Sequence, residues 1–205
     1  MGIFNIFKPK KKVANLKMRV SVEEQIIVLS NLGIKPKQDG YVDWICYEWS
    51  RDAVEADPYN LMLFSLGGER ESGDKWERLS DDVYSFDTEC VEDDDVYADI
   101  FINLAALSKG VFSVTSVSSA VEHENHSASI SFVYNNANYN WNLKYDDDWF
   151  DKDVVNRINQ LVSEMNPIRS FYTCSPGQNL TTLFTSQDVI EKVNSLVTIP
   201  FILGT

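Results

Sequence analysis

The chain has 205 residues, of which 44% are hydrophobic and 12% aromatic. That is enough apolar side chain to bury a real core, and it excludes a disordered chain. Its charge is uneven: residues 1–20 carry six basic side chains (Lys8, Lys10, Lys11, Lys12, Lys17, Arg19) and no acid, leaving 12 basic against 31 acidic from residue 21 onward, a net of −19 for the body.

A field of that sign repels nucleic-acid phosphates and attracts basic partners, so direct nucleic-acid binding by the body is not expected. Acidity also keeps a small protein soluble, and that plainer reading stands beside the first. The longest apolar runs, such as Ile100 to Leu107, fall far short of the ~20 residues of a membrane span. The first residues lack the apolar core and small-residue cleavage site of a secretory signal. A cytoplasmic location and no membrane span are therefore expected. Cys46, Cys90 and Cys174 are an odd number at wide spacing with no CxxC, which reads as reduced, buried thiols.

In chain order, residues 1–12 read as a basic flexible tail behind a short apolar knob, too short for a stable helix of its own. Gly2 invites a myristoylation reading, but position 6 is Ile where that motif wants Ser or Thr. Residues 13–205 read either as a single α+β domain or as two packed lobes with a seam near 68–81. Val13 to Val20 is compatible with a strand. Ser21 and Glu24 then form a capping box for a helix running to about Leu32, closed by Gly33. After a turn at Pro36 and Asp39-Gly40, the residues Val42, Ile45, Cys46, Trp49 and Ala53 give a helix-spaced face until Asp57-Pro58 breaks it. Asn60 to Leu66 is apolar throughout, and periodicity does not separate a strand from a helix stopped by Gly67-Gly68. The polar stretch from Gly68 to Asp81 reads as an exposed loop.

Tyr84, Phe86 and Cys90 alternate with Ser85, Asp87 and Glu89, a strand with two carboxylates on its outer face. Glu92 to Asp95 form a solvated acidic turn into a helix over about 96–108, with Tyr97, Ile100, Phe101, Leu104 and Leu107 inward. The acid at its start and Lys109 at its end suit the helix dipole. A meander follows, its first strand at about 111–118. In the second strand Ala128, Ile130, Phe132 and Tyr134 point inward, and in the third Tyr139, Trp141, Leu143 and Tyr145 do, the period of two of half-buried strands. Asn135 and Asn136 tolerate the positive φ of a tight hairpin turn. The acidic turn from Asp146 to Asp151 leads into a covering helix with Val154, Val155, Ile158, Leu161, Val162 and Met165 in one stripe. Asp151 is its expected N-cap, and Asn166-Pro167 its stop. Residues 168–174 and 180–184 form a second hairpin around Ser175 to Gln178. A last helix, capped by Thr185 and Asp188, runs to about Leu196, and residues 197–203 suit an edge strand. The ββαββα order of this second half gives an α+β fold, with a mainly antiparallel sheet of meander and hairpin covered by helices on one face.

Motifs with chemistry are few. On a strand, Asp87 and Glu89 at i and i+2 point the same way and can share a divalent metal. The segment Phe86-Asp87-Thr88-Glu89-Cys90 resembles the first motif of DnaQ-like 3′–5′ exonucleases, which implies two-metal phosphodiester hydrolysis as an alternative function. That family needs two further aspartates and a late His or Tyr; Asp99 is the nearest second acid, and no His follows His126. His123 and His126 lie in a turn between strands without a third ligand. The aspartates of 146–153 lack the spacing and closing Glu of a calcium loop. No catalytic triad, phosphate-binding loop or dinucleotide motif is present, so no cofactor is implied and no enzymatic activity is expected.

Trp149, following three aspartates at a turn, has the composition of a hot spot for a basic protein partner, or of an anchor for the turn. The whole, an acidic α+β body with aromatics beside acid clusters in Tyr84 to Glu92 and Asp148 to Asp151, resembles in overall character the immunity proteins that neutralise bacterial polymorphic or contact-dependent toxins. The resemblance implies an acidic face that docks on a basic toxin domain, often a nuclease, and occludes it. The residues expected to carry that contact are Asp93, Asp94, Asp95, Asp146, Asp147, Asp148 and Trp149.

Overall fold

The structure, a computed structural model, describes residues 19–37, 41–73 and 75–204. The basic tail and most of the strand expected over 13–20 lie outside the described residues; Arg19 and Val20 have no regular secondary structure. The order is α1 (Val22–Asn31), α2 (Tyr41–Glu48), α3 (Arg51–Ala56), α4 (Asn60–Gly67), β1 (Glu69–Ser72), β2 (Lys75–Arg78), β3 (Val83–Asp87), α5 (Val96–Leu107), β4 (Val114–Glu122), β5 (Ser127–Tyr134), β6 (Ala137–Leu143), α6 (Asp153–Met165), β7 (Arg169–Cys174), β8 (Asn179–Ser186), α7 (Gln187–Asn194) and β9 (Ile202–Leu203). Every strand pair is antiparallel, and the fold is α+β.

The strands make a four-stranded sheet in the order β3-β8-β7-β9, a three-stranded meander β4-β5-β6, and the hairpin β1-β2. In the four-stranded sheet the inner strands β7 and β8 are buried on both faces over most of their length, while the edge strand β9 is exposed. Alternation along its strands sends Tyr84, Phe171, Leu180 and Phe184 into a core shared with α5, α6 and the inner face of the meander. It sends Val83, Tyr172, Cys174 and Leu183 into a second core with α1, α4 and α7. Helices thus cover both faces of this sheet, not the single face expected. The closest approach is at Gly67, where a Cβ would stand 2.7 Å from Ser85 Oγ and 2.9 Å from the Ser85 backbone nitrogen. Only glycine lets the end of α4 lie that near β3.

Local chemistry explains most boundaries. Ser21 Oγ accepts the Glu24 N–H at 3.2 Å and starts α1. The helix-spaced face from Val42 to Ala53 is two helices, because Ser50 Oγ accepts the Ala53 N–H and begins α3. Asn60 to Gly67 is a helix. Residues 69–78 form a hairpin where a loop was expected, with Glu69 opposite Arg78 and a turn at Gly73, whose φ is +65°. Apart from Trp76 its side chains are polar, so no alternation betrayed it.

In the meander Ala128, Ile130, Phe132 and Tyr134 are buried as expected, and Asn135 and Asn136 take φ of 49° and 60°, the primed turn of a two-residue hairpin. Strand β4 runs over 114–122, later than expected; within it Ser116 adopts φ 52° and the register slips between Thr115 and Ser118. That bulge interrupts the period of two. In α6 Val154, Val155, Ile158 and Val162 are buried and Leu161 is half-buried, but Met165, the last residue of the helix, is 65% exposed. The cap of α7 is Ser186, one residue after the expected Thr185, and β9 pairs with the edge of β7.

Candidate functional site

The two acidic turns are far apart in sequence and adjacent in space. Beyond β3 the chain continues alongside the turn after β6: Phe150 N–H donates to Thr88 C=O at 2.7 Å, Val91 N–H donates to Asp148 C=O at 2.8 Å, and Glu89 forms an antiparallel bridge with Trp149. Asp93 follows Val91 by two residues, at most about 7 Å of chain, so both triplets lie at one end of the molecule. Beneath them Phe150 is buried between Phe86 (5.1 Å, edge-on) and Tyr97 (5.1 Å, stacked). Tyr97, itself buried, accepts the Asp151 N–H on its hydroxyl at 2.9 Å. The aromatic stack sets where the turn sits.

The individual carboxylates do different work. Asp93 accepts the N–H groups of Asp95 and Val96 at 3.0 and 3.1 Å and so holds the turn into α5, whose N-cap position is Asp95 with no side-chain cap bond. Asp94 reaches across to β4, accepting the Val121 N–H at 2.9 Å, while its backbone carbonyl accepts the Ser119 hydroxyl. Asp151 accepts the Lys144 N–H and the Asp153 N–H, tying the end of β6 to the start of α6. This is its expected capping role, shifted by one residue because Lys152 occupies the N-cap position. Asp95 and Asp147 are exposed, and Asp147 sits at φ 57°, a conformation that Asp and Asn adopt more readily than most residues. Asp146 pairs with Lys144 at 2.7 Å, both partners more than half exposed. Asp148 and Trp149 are half-buried. Trp149 lines a shallow depression with Lys144, Asp146 and Lys152, and its backbone forms the bridge to Glu89.

Sequence reasoning assigned Asp87 and Glu89 to a different role, and they belong to this same end. Asp87 Oδ1 accepts the Glu89 N–H at 2.9 Å, and the Glu89 carboxylate accepts from the Gln178 side chain in the β7–β8 turn. Among the described residues no group of three or more His, Cys, Asp and Glu is arranged to hold a metal ion. With Glu92, the end presents eight exposed carboxylates: Asp87, Glu89, Glu92, Asp93, Asp94, Asp95, Asp146 and Asp147. Cys90 lies among them; burial first, then Asp87, Glu92 and Asp148, push its thiol up to about 11. Burial first, and then Asp151 and Asp146, push the Tyr97 phenol up to about 12 against the favourable Asp151 N–H.

Tyr145 and His123, which sequence reasoning left outside the site, stand at its rim. The His123 Nδ1 and Tyr145 hydroxyl are 3.0 Å apart, and the His126 ring lies 5.2 Å from that of Tyr145. The signal for Tyr145 was its place in the inward alternation; strand β6 ends at Leu143, so Tyr145 falls beside the turn. Desolvation first, then Asp147 and Asp148, raise its phenol. Nothing in the sequence pointed to Gln178.

Comparison with models of protein families, with curated proteins and with solved structures finds no match to this chain. Among the described residues no helix is long and apolar enough to cross a membrane.

Proposed function

We propose that this protein is an inhibitor of the immunity type, binding a basic protein domain through its acidic end and occluding that domain's working surface. The observation that carries the reading is the pairing of residues 88–91 with 148–150, which gathers eight exposed carboxylates from two distant segments. A single ion pair, Lys144 with Asp146, offsets them among the described residues. Clustered, weakly compensated charge steers an oppositely charged partner and raises its association rate more than its intrinsic affinity. Trp149 supplies aromatic surface between the two triplets, where interface energy would concentrate, and Tyr145 stands at the rim, where a side chain chiefly excludes water. A toxin domain that holds nucleic acid presents the basic surface this end complements, and a protein carrying −19 on its body is a poor ligand for nucleic acid itself.

The experiment is capture from host lysate with the tagged protein and with a variant carrying Asp95→Asn, Asp146→Asn and Asp147→Asn. Among the described residues these three carboxylates accept no backbone hydrogen bond, so the variant keeps the fold while losing charge. The reading expects a stoichiometric basic partner held by the parent and lost or strongly reduced with the variant. The same partners on both would overturn it.

A further inference from the structure

The molecule is bipolar along α5. Twelve residues span about 18 Å at ~1.5 Å each, with the acidic turns at the start of the helix and a cationic cleft at its end. That separation exceeds the ~8 Å Debye length at physiological salt, so the cleft is largely shielded from the acidic end.

The cleft, about 400 Å³, lies between the turn after α1, the loop before β3 and the end of α5. Its frame is tightly bonded. Ser80 Oγ donates to the Lys35 carbonyl at 2.7 Å, Lys37 N–H donates to the Leu79 carbonyl at 2.7 Å, and Asp82 accepts both the Lys35 N–H and the Lys109 ammonium. Four cations line it, Lys35, Lys37, Arg78 and Lys109, against two carboxylates. Both carboxylates are engaged, Asp81 by Lys37 and Asp82 by Lys109. Lys35 and Arg78 form no ion pair among the described residues. Arg78 lies over the Tyr84 ring at 4.9 Å, and its Nη1 is buried without a hydrogen-bond partner. The Tyr84 ring holds the guanidinium in place, and the other guanidinium N–H groups, which form no hydrogen bond among the described residues, are the donors left for an acceptor in the cleft. In a body of net −19, a local excess of two positive charges is a specific feature of this cleft.

We infer that this cleft is a binding site for a phosphate-type anion, held by the Arg78 guanidinium and the Lys35 ammonium, with Lys37 and Lys109 completing the positive field. Arginine and lysine together match the geometry and charge of phosphate oxygens. A second cleft shares Lys37 and Arg78 and opens on Trp76, which is 70% exposed. Its rim also carries Glu69 and Glu77, which repel a second anionic group and leave the indole as the surface for an uncharged planar ring. The anion therefore comes either as free phosphate or as the phosphate of a nucleotide.

The test is calorimetric titration of the full chain at low ionic strength with inorganic pyrophosphate and, separately, with ADP. Saturable binding of pyrophosphate is expected, weakened by added salt and about tenfold by Lys35→Gln or Arg78→Gln. Lys35 is exposed, so the Lys35→Gln variant reports on the site even where Arg78→Gln disturbs the packing on Tyr84. Tighter binding of ADP than pyrophosphate, lost with Trp76→Ala, would support the site and assign it to nucleotides; equal binding, indifferent to Trp76→Ala, would support it and assign it to free phosphate. No heat with either ligand, or binding unchanged by both cation substitutions, would overturn the site.

Discussion

Asp94→Ala separates structural acid from docking acid at the candidate site. Asp94 is exposed, yet its Oδ1 accepts the N–H of Val121, which is 7% exposed on the outer edge of β4. A hydrogen bond to a charged acceptor contributes about 1.5–3 kcal/mol; because water can reach part of this site, about 1.5 kcal/mol is expected. For a chain of this size that is roughly 3–6 °C in Tm. Asp95→Ala, one residue on, removes a carboxylate that accepts no backbone hydrogen bond among the described residues, and should cost about 0.5 kcal/mol through its charge at the start of α5. Asp94→Asn retains an acceptor oxygen and should fall between them. Urea unfolding of the three variants reads the differences directly from the midpoints. Equal midpoints for Asp94→Ala and Asp95→Ala would show that the contact to β4 does not hold the turn.

Three further outcomes follow from the same kind of reading. Gln25 is fully buried, donates to the carbonyls of Val20 and Val54, and accepts the Tyr59 N–H, whose residue sits at φ 68°. Gln25→Leu strands three backbone groups and should cost about 3 kcal/mol in urea unfolding, where an ordinary surface change costs under about 0.5. Glu23 is held down to about 2, chiefly by its hydrogen bond to Arg51. Its folded value lies below the ordinary 4.5, so its stabilisation is present above that value and is lost as pH falls toward 2. Arg51→Met should flatten that part of a Tm-against-pH curve, and an unchanged curve would show the pair contributes nothing. Because burial and neighbouring carboxylates raise the Cys90 thiol to about 11 and burial raises Cys174 to about 11, both should react slowly with a disulfide reagent at pH 8 in the folded protein and at ordinary rates in denaturant. Rapid labelling of Cys90 in the native state would contradict the packing described for the 88–91 segment.

Much of the fold was legible because local chemistry and long-range packing agree in it. Strand β5 shows strict alternation ending in two Asn at positive φ, and α1 opens on a Ser that caps it. The elements that were hidden break a local rule. Ser116 disrupts the period of two in β4, the β1–β2 hairpin is polar apart from Trp76, and Ser50 divides one apparent helix face into two helices. The acidic residues were visible as charge, and their roles were not. That Asp93 holds the turn into a helix, Asp94 bonds a strand and Asp95 sits at the helix start with no side-chain cap bond depends on what stands opposite each. That both triplets share one end depends on Val91 meeting Asp148 and Glu89 meeting Trp149 across about sixty residues of chain. Periodicity carries no such information. The cationic cleft was hidden for the same reason, since Lys35, Arg78 and Lys109 come together only through contacts between distant segments.

The most direct test of the acidic end as a docking surface is the association rate of the captured basic partner, measured by stopped flow across a series of ionic strengths, for the parent and for the Asp95→Asn, Asp146→Asn, Asp147→Asn variant. The account predicts a rate that falls steeply with salt for the parent, and for the variant a lower rate at low salt with a shallower slope. Equal rates and equal slopes would contradict it.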